Sequence, residues 1–380
     1  MPKAKAIATA VATPAEIAQK PYRVFGYGHD FGNGDTCSVT PGLLANDGSP
    51  MQQRIPSVYS NGSWAKITAS AAGMGKSPEE VLNYGDYVLG YDTAEGRVEK
   101  YMGNAVYSTG SLPMSTNGDG SRYWVNNYSL EFLMVGSSAS IQAEEYGLVV
   151  VTGLPISIYN DDPENVNRVK AALTGTYTFH VNNVQRTMHV EEVHVIMEGA
   201  GALIAYANGP DTITGGIDIG ERTTDLFVAK GNRPQTNSNH GFPIGVSKAA
   251  DLFCEKFRQV YHYRLALDTC MNLLKQFVND IQLQTVYGQD GQDVDPDVLA
   301  TMIDSSLREI GKDIATQVVA TWDAAVHKMD RILIFGGGAY YFSDEVIARI
   351  GKAVSATRPE MRNADGYALL AEAKLKLRSA

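Results

Sequence analysis

Asp30-Phe-Gly-Asn-Gly-Asp-Thr36 and Asp218-Ile-Gly-Glu-Arg-Thr-Thr224 are the two stretches on which the reading of this chain turns. They align without gaps, 188 positions apart (218 − 30), with Asp, Gly and Thr coinciding. Each lies between β-prone runs, residues 22–27 before the first and 213–219 before the second, so both read as strand, Gly-rich turn, strand. The match suggests a duplicated half-molecule. Glycine lets consecutive N–H groups point into one concavity, which suits phosphate. A carboxylate beside phosphate repels it unless a cation lies between, and Mg²⁺ fills that role while keeping several waters. Asp30 and Asp218 are therefore candidate Mg²⁺ residues acting through water. Either turn alone is equally well an ordinary hairpin, because Asp and Gly are common in tight turns. As a pair they favour a clamp on a polyphosphate.

Two further features belong with that clamp. Phe335-Gly336-Gly337-Gly338 follows the apolar run 331–335 and precedes a helix, which lets a flat base or ribose lie against backbone. Glu198 ends the strand at 193–197, just before Gly199-Ala-Gly-Ala202. There it reads either as an acid that orients water attacking a γ-phosphate or as a helix N-terminal acid favoured by the dipole.

The remaining pattern alternates strands and helices, an α/β class. Residues 128–140, 165–173 and 201–208 read as helices, and 148–152, 177–181 and 188–197 as strands. Residues 245–280 read as mostly helical, and Pro296 opens a long helix to about residue 327. Residues 40–125 read as short strands and loops.

At 380 residues there is room for two or three domains. Apolar residues are 44% and charged residues 19%, an ordinary globular balance. The net charge of −10 and the lack of a Lys/Arg run argue against direct nucleic-acid binding. Cys37, Cys254 and Cys270 are widely spaced, with no disulfide framework readable, which suits a reducing cytosol. No apolar run is long enough to span a membrane, and residues 1–20 read as a flexible tail. Gly73-Met-Gly-Lys76-Ser77 fails as a P-loop because Ser70 stands where glycine is needed. His189 and His194, five apart on a strand, face opposite sides and are poor joint metal ligands.

The order Asp30-x-Gly32-Asn-Gly34, Val151-Thr-Gly-Leu-Pro155, Glu198-Gly-Ala-Gly-Ala202, Asp218-x-Gly220-x-x-Thr-Thr-Asp225 and Ile334-Phe-Gly-Gly-Gly338 resembles bacterial actin-like proteins, with the plasmid-segregation (ParM-like) branch nearest. The resemblance covers about residues 22–375. It implies an α/β actin-like fold of two domains, each with a ribonuclease-H-like mixed sheet flanked by helices. The expected division is 21–210 with 351–380 as domain I, and 211–350 as domain II. ATP (or GTP) and Mg²⁺ would lie in the cleft. Asp30 would be the first phosphate-turn acid, with Gly32, Asn33 and Gly34 at the β-phosphate. Asp218 would be the second, with Gly220, Thr223 and Thr224 near the γ-phosphate. Glu198 would position the attacking water, Gly336, Gly337 and Gly338 would border adenine and ribose, and Gly245 would begin the turn before a sugar-contacting helix.

The implied activity is an ATPase coupled to polymerisation of the chain with itself in the cytoplasm. A DNA-binding adaptor protein would be the partner in plasmid segregation. The other readings in the superfamily are a small-molecule kinase, which needs a base for a substrate hydroxyl, and a chaperone-like ATPase, which needs a client-binding domain. The family carries a lysine seven residues after the first acid, where this chain has Cys37. Gly26 and Gly28 also weaken the first strand as a strand.

Overall fold

The computed structural model describes residues 21–116, 128–206, 209–231, 233–235 and 239–379. The expected tail at 1–20 lies outside them, as does the end of the helix expected to reach residue 208. The first sheet takes the strands β1 (Val24–Phe31), β2 (Asp35–Leu44), β3 (Pro50–Pro56), β4 (Val58–Asn61), β5 (Asp86–Thr93), β6 (Gly96–Gly103), β7 (Met114–Ser115), β8 (Glu145–Leu154), β9 (Gly175–Val181) and β10 (Val184–Met197). Their order is β3-β2-β1-β8-β10-β9-β5-β6-β4-β7. The second takes β11 (Ile213–Ile219), β12 (Thr224–Lys230), β13 (Arg233–Pro234), β14 (His240–Phe242), β15 (Arg331–Phe335) and β16 (Ala353–Ser355), in the order β13-β12-β11-β15-β16 with β14 on β12.

The duplication read from the turns is architectural. β1 pairs antiparallel with β2 and parallel with β8; β11 pairs antiparallel with β12 and parallel with β15. Asp30 faces Cys37 across the first hairpin as Asp218 faces Asp225 across the second. Parallel pairing leaves β8 and β15 covered on both faces, which is why Leu148-Val-Val-Val151 and Ile332-Leu-Ile-Phe335 are continuous apolar runs.

Helices cover the sheets. In chain order they are α1 (Trp64–Gly73), α2 (Pro78–Val81), α3 (Asn104–Ser108), α4 (Tyr128–Ser140), α5 (Ile156–Asp161), α6 (Glu164–Leu173), α7 (Ala200–Ala205), α8 (Val246–Tyr261), α9 (Leu267–Val278), α10 (Pro296–Trp322), α11 (Ala325–Lys328), α12 (Ala339–Ile350) and α13 (Arg362–Ser379). α8 buries Val246, Ala249, Ala250, Phe253 and Phe257, the three- and four-residue spacing of one helix face. α10 starts where expected, with Pro296 in its first turn and the Asp295 carboxylate accepting from the Asp297 N–H at 2.8 Å.

Some expectations need correction. α10 stops at Trp322, because Asp323 adopts a positive φ of 41°, and only a short α11 follows. The stretch 40–125 holds a helix, α1, built from Ala and Ser and capped by the Ser63 hydroxyl, which accepts from Lys66 N–H. Cys254 of α8 and Cys270 of α9 are bonded to each other, so the cysteines are not all reduced thiols as expected. Their spacing of 16 residues hid this because the helices fold back on one another. Gly26 and Gly28 are the seat of α13: a methyl on Gly28 would run into the Ala364 carbonyl and the Ala368 backbone. They weaken strand propensity and permit that packing.

His29, next to the first turn, is buried beside Phe31 with no hydrogen bond of normal geometry to either ring nitrogen. Burial pushes its pKa down to about 4, offset in part by the nearby Ser129 backbone. The folded state thus resists a proton that the unfolded chain takes up near 6.5, so stability falls as pH drops through this window. His29 alone should remove about 2 kcal/mol between pH 7 and pH 5. Urea unfolding at the two pH values should show that share missing from His29→Leu. An equal acid loss in the variant would contradict the assignment.

Candidate functional site

Both turns are held by hydrogen bonds from neighbouring segments and within themselves. In the first, the Ser57 hydroxyl donates to the Gly32 carbonyl at 2.8 Å, and Ser57 N–H donates to the Gly34 carbonyl at 2.9 Å. Thr36 and Ser57 hydroxyls sit 3.0 Å apart behind it. In the second, Gly220 N–H donates to the Thr223 carbonyl at 2.8 Å. The Thr224 hydroxyl donates to the Ile244 carbonyl at 2.7 Å, and that of Thr223 to Asp225 Oδ2 at 3.1 Å. Gly245 caps α8 against this turn: Val246 and Ser247 N–H groups donate to the Gly220 and Glu221 carbonyls at 3.3 and 2.8 Å.

The two turns approach one another. A methyl on Gly34 would lie 2.9 Å from Glu221 Oε2, so the first turn meets the second across the Glu221 side chain. Gly336 takes φ +83°, and its missing side chain leaves room for the Asp218 carboxylate, which a methyl would strike. Gly338 N–H donates to the Ile219 carbonyl at 2.7 Å, tying the third turn to the second. Gly337 has open space where a side chain would be.

Three carboxylates share this floor. Glu198 follows β10, anchored by its N–H on the Leu154 carbonyl at 2.7 Å. Burial pushes Asp218 up to about 7; an Asn363 hydrogen bond lowers it and Glu198 raises it further. Burial pushes Asp225 up to about 8, with Glu198 and Asp218 adding to the rise and Thr223 opposing it. Buried like charges of this kind favour either protons or a cation. Among the described residues no three such side chains are placed to cage a metal by themselves. A divalent ion would need phosphate and water for its other ligands, as Mg²⁺ prefers.

Asp30, at the end of β1, bears on Cys37, whose thiol is buried and pushed well up by that burial and by Asp30 and Asp35. The cross-strand neighbour of Cys37 is Arg54, paired with Asp35 at 2.7 Å and with Glu360 at 3.8 Å. So a cation stands one strand away from the place where Cys37 replaces lysine. Ser57 and Asn363 are site residues that sequence reasoning missed. No local pattern marks them, since each acts on a segment far away in the chain. A cavity of about 350 Å³ lined by Tyr263, Leu265, Thr269 and Gln284 lies elsewhere and shares no residue with the turns.

Residues 28–201 match the family model of actin-like protein N-terminal domains, and 216–347 match that of the C-terminal domain of the archaeal MreB-like actin homologues. The chain belongs to the actin-like proteins. Solved structures agree in fold. An archaeal actin homologue superposes with a TM-score of 0.69 at 19% identity, covering 92% of this chain and 99% of its own. A ParM from a 15-stranded filament of Clostridium botulinum gives 0.72 at 17%, with 92% and 99% covered. The archaeal homologue solved in complex with ADP gives 0.66 at 20%, with the same coverage. No curated protein matches the chain. No helix among the described residues is long and apolar enough to cross a membrane.

Proposed function

We propose that this chain binds ATP, or GTP in its place, with Mg²⁺ between the turns at Asp30 and Asp218, hydrolyses it slowly and assembles head to tail with copies of itself. The observation that carries the reading is the meeting of two matching strand–turn–strand units, Gly34 against Glu221, over a floor of three carboxylates. Backbone N–H groups of Gly32, Asn33 and Gly34 would take the β-phosphate, with Gly220, Thr223 and Thr224 forming the second turn near the γ-phosphate. Gly336, Gly337 and Gly338 would border the base and ribose, and Gly245 would hold α8 beside them. Asp30 and Asp218 would hold the ion through water, and bound Mg²⁺ supplies charge neutralisation of the phosphates. Glu198 would orient the attacking water.

Closure of domain I (21–210 and 351–380) on domain II (211–350) would then favour addition to a filament, an open assembly from one heterologous interface. The sequence resemblance to the plasmid-segregation branch carries the further reading of a role in moving plasmid DNA through a DNA-binding adaptor protein, in the cytoplasm. Light scattering and negative-stain images should show filaments with Mg²⁺-ATP and disassembly as ADP accumulates. A chain that stays monomeric at tens of micromolar with either nucleotide would overturn the filament reading.

A further inference from the structure

We infer that Asn363 is a positioning residue that sets Asp218 and the Glu198–Gly199 turn against each other through one side-chain amide. The inference rests on the nucleotide-site reading above. Asn363 is the second residue of α13 and only 6% exposed. Its Nδ2 donates to Asp218 Oδ2 at 2.8 Å. Its Oδ1 accepts from Gly199 N–H at 3.0 Å and from Ala202 N–H at 3.3 Å. Among the described residues it is the one side chain that donates to Asp218.

The chemistry fits asparagine and excludes its near relatives. An amide offers donors on one atom and an acceptor on the other. Flipping it would turn the oxygen toward the Asp218 carboxylate and the NH₂ toward two N–H groups, so this orientation is fixed by its partners. Aspartate, of the same shape, could still accept from Gly199 and Ala202 but would set a second carboxylate against Asp218. Leucine would make none of the three bonds. The two halves of the amide also serve different segments: Asp218 closes β11 of the second sheet, while Gly199 follows the β10 strand of the first. Asn363 stands on a helix seated on β1 by Gly26 and Gly28, so its position is fixed by the first sheet while its donor reaches the second.

The consequence is specific. Glu198 and Asp218 would keep their separation only while the amide bridges them, so its loss should affect turnover more than nucleotide capture. The experiment uses the full chain and steady-state phosphate release. Asn363→Asp should cut kcat by about 100-fold, the effect of a misplaced reacting group. KM should move by less than about threefold, the mark of an interaction needed in the transition state rather than the ground state. The double variant Asn363→Asp with Asp218→Asn exchanges donor and acceptor. It should regain the melting temperature lost by Asn363→Asp yet stay inactive, because the acid at 218 is gone.

If Asn363→Asp hydrolyses ATP at the wild-type rate, the inference fails. It also fails if kcat and KM worsen together in proportion to lost stability, or if the double variant recovers no stability. Should Asn363→Asp not fold, Asn363→Ser, which is smaller and uncharged, carries the same kcat-against-KM comparison. Wild-type chain that binds no nucleotide would instead sink the nucleotide-site reading, and this inference with it.

Discussion

Glu198→Gln should lose about 10²- to 10⁴-fold in ATP hydrolysis while binding nucleotide as the wild type does. Glutamine keeps the shape and the backbone anchor of residue 198 on the Leu154 carbonyl, so the turn before α7 should remain in place. What it removes is the charge that orients a water and accepts its proton. It also removes a negative charge that bears on Asp218 and Asp225, so phosphate binding should hold or tighten. Filaments formed by the variant with ATP should therefore persist where wild-type filaments fall apart. Phosphate release and nucleotide affinity measured on the same preparation check both halves. Hydrolysis within about threefold of wild type would remove Glu198 from the chemistry.

Gly366→Ala should be the most damaging single methyl on any glycine among the described residues. Gly366 of α13 crosses Gly201 of α7 so closely that an added carbon would fall on the Gly201 carbonyl, with the Gly201 Cα at 2.8 Å. Gly201 faces the same constraint from the Asn363 carbonyl and the Tyr367 ring. Both obstacles to Gly366 are backbone, which cannot rotate away, and both helices sit on the carboxylate floor. Overpacking of this kind should cost at least about 3 kcal/mol, which lowers Tm by about 6–12 °C for a domain of this size. Gly73→Ala, at the end of α1 with open space around it, is the control and should hold or slightly raise Tm. A Gly366→Ala melt matching that control would mean the two helices do not cross as described.

The parts of this site that could be read from sequence are those written in local chemistry. Asp, Gly and Thr at fixed offsets specify a turn by themselves, the helix at 128–140 is a run of apolar and small residues buried nearly all round, and the acid just after β10 follows from a strand boundary. The parts that could not be read depend on residues far apart in the chain. Asn363 is 145 positions from Asp218 and 164 from Gly199, and nothing in Arg362-Asn-Ala-Asp-Gly366 announces either contact. Gly26 and Gly28 look like poor strand residues until α13 is laid across them. α1 went unread because Ala and Ser carry little hydrophobic periodicity and only Ile67 and Ala71 face inward. The link between Cys254 and Cys270 required knowing that α8 and α9 pack against one another.

The claim beneath all of this is that one nucleotide is held between the turns at Asp30 and Asp218. Calorimetric titration of the wild-type chain with Mg²⁺-ATP and Mg²⁺-ADP, repeated on Gly336→Val, tests it most directly. The wild type should bind one nucleotide per chain with a dissociation constant near about 1 μM, roughly −8 kcal/mol. Gly336→Val, which drives a branched side chain into the Asp218 carboxylate at a positive φ, should bind at least about 100-fold more weakly. Absence of binding by the wild type up to about 1 mM, or equal affinity in the variant, would contradict it.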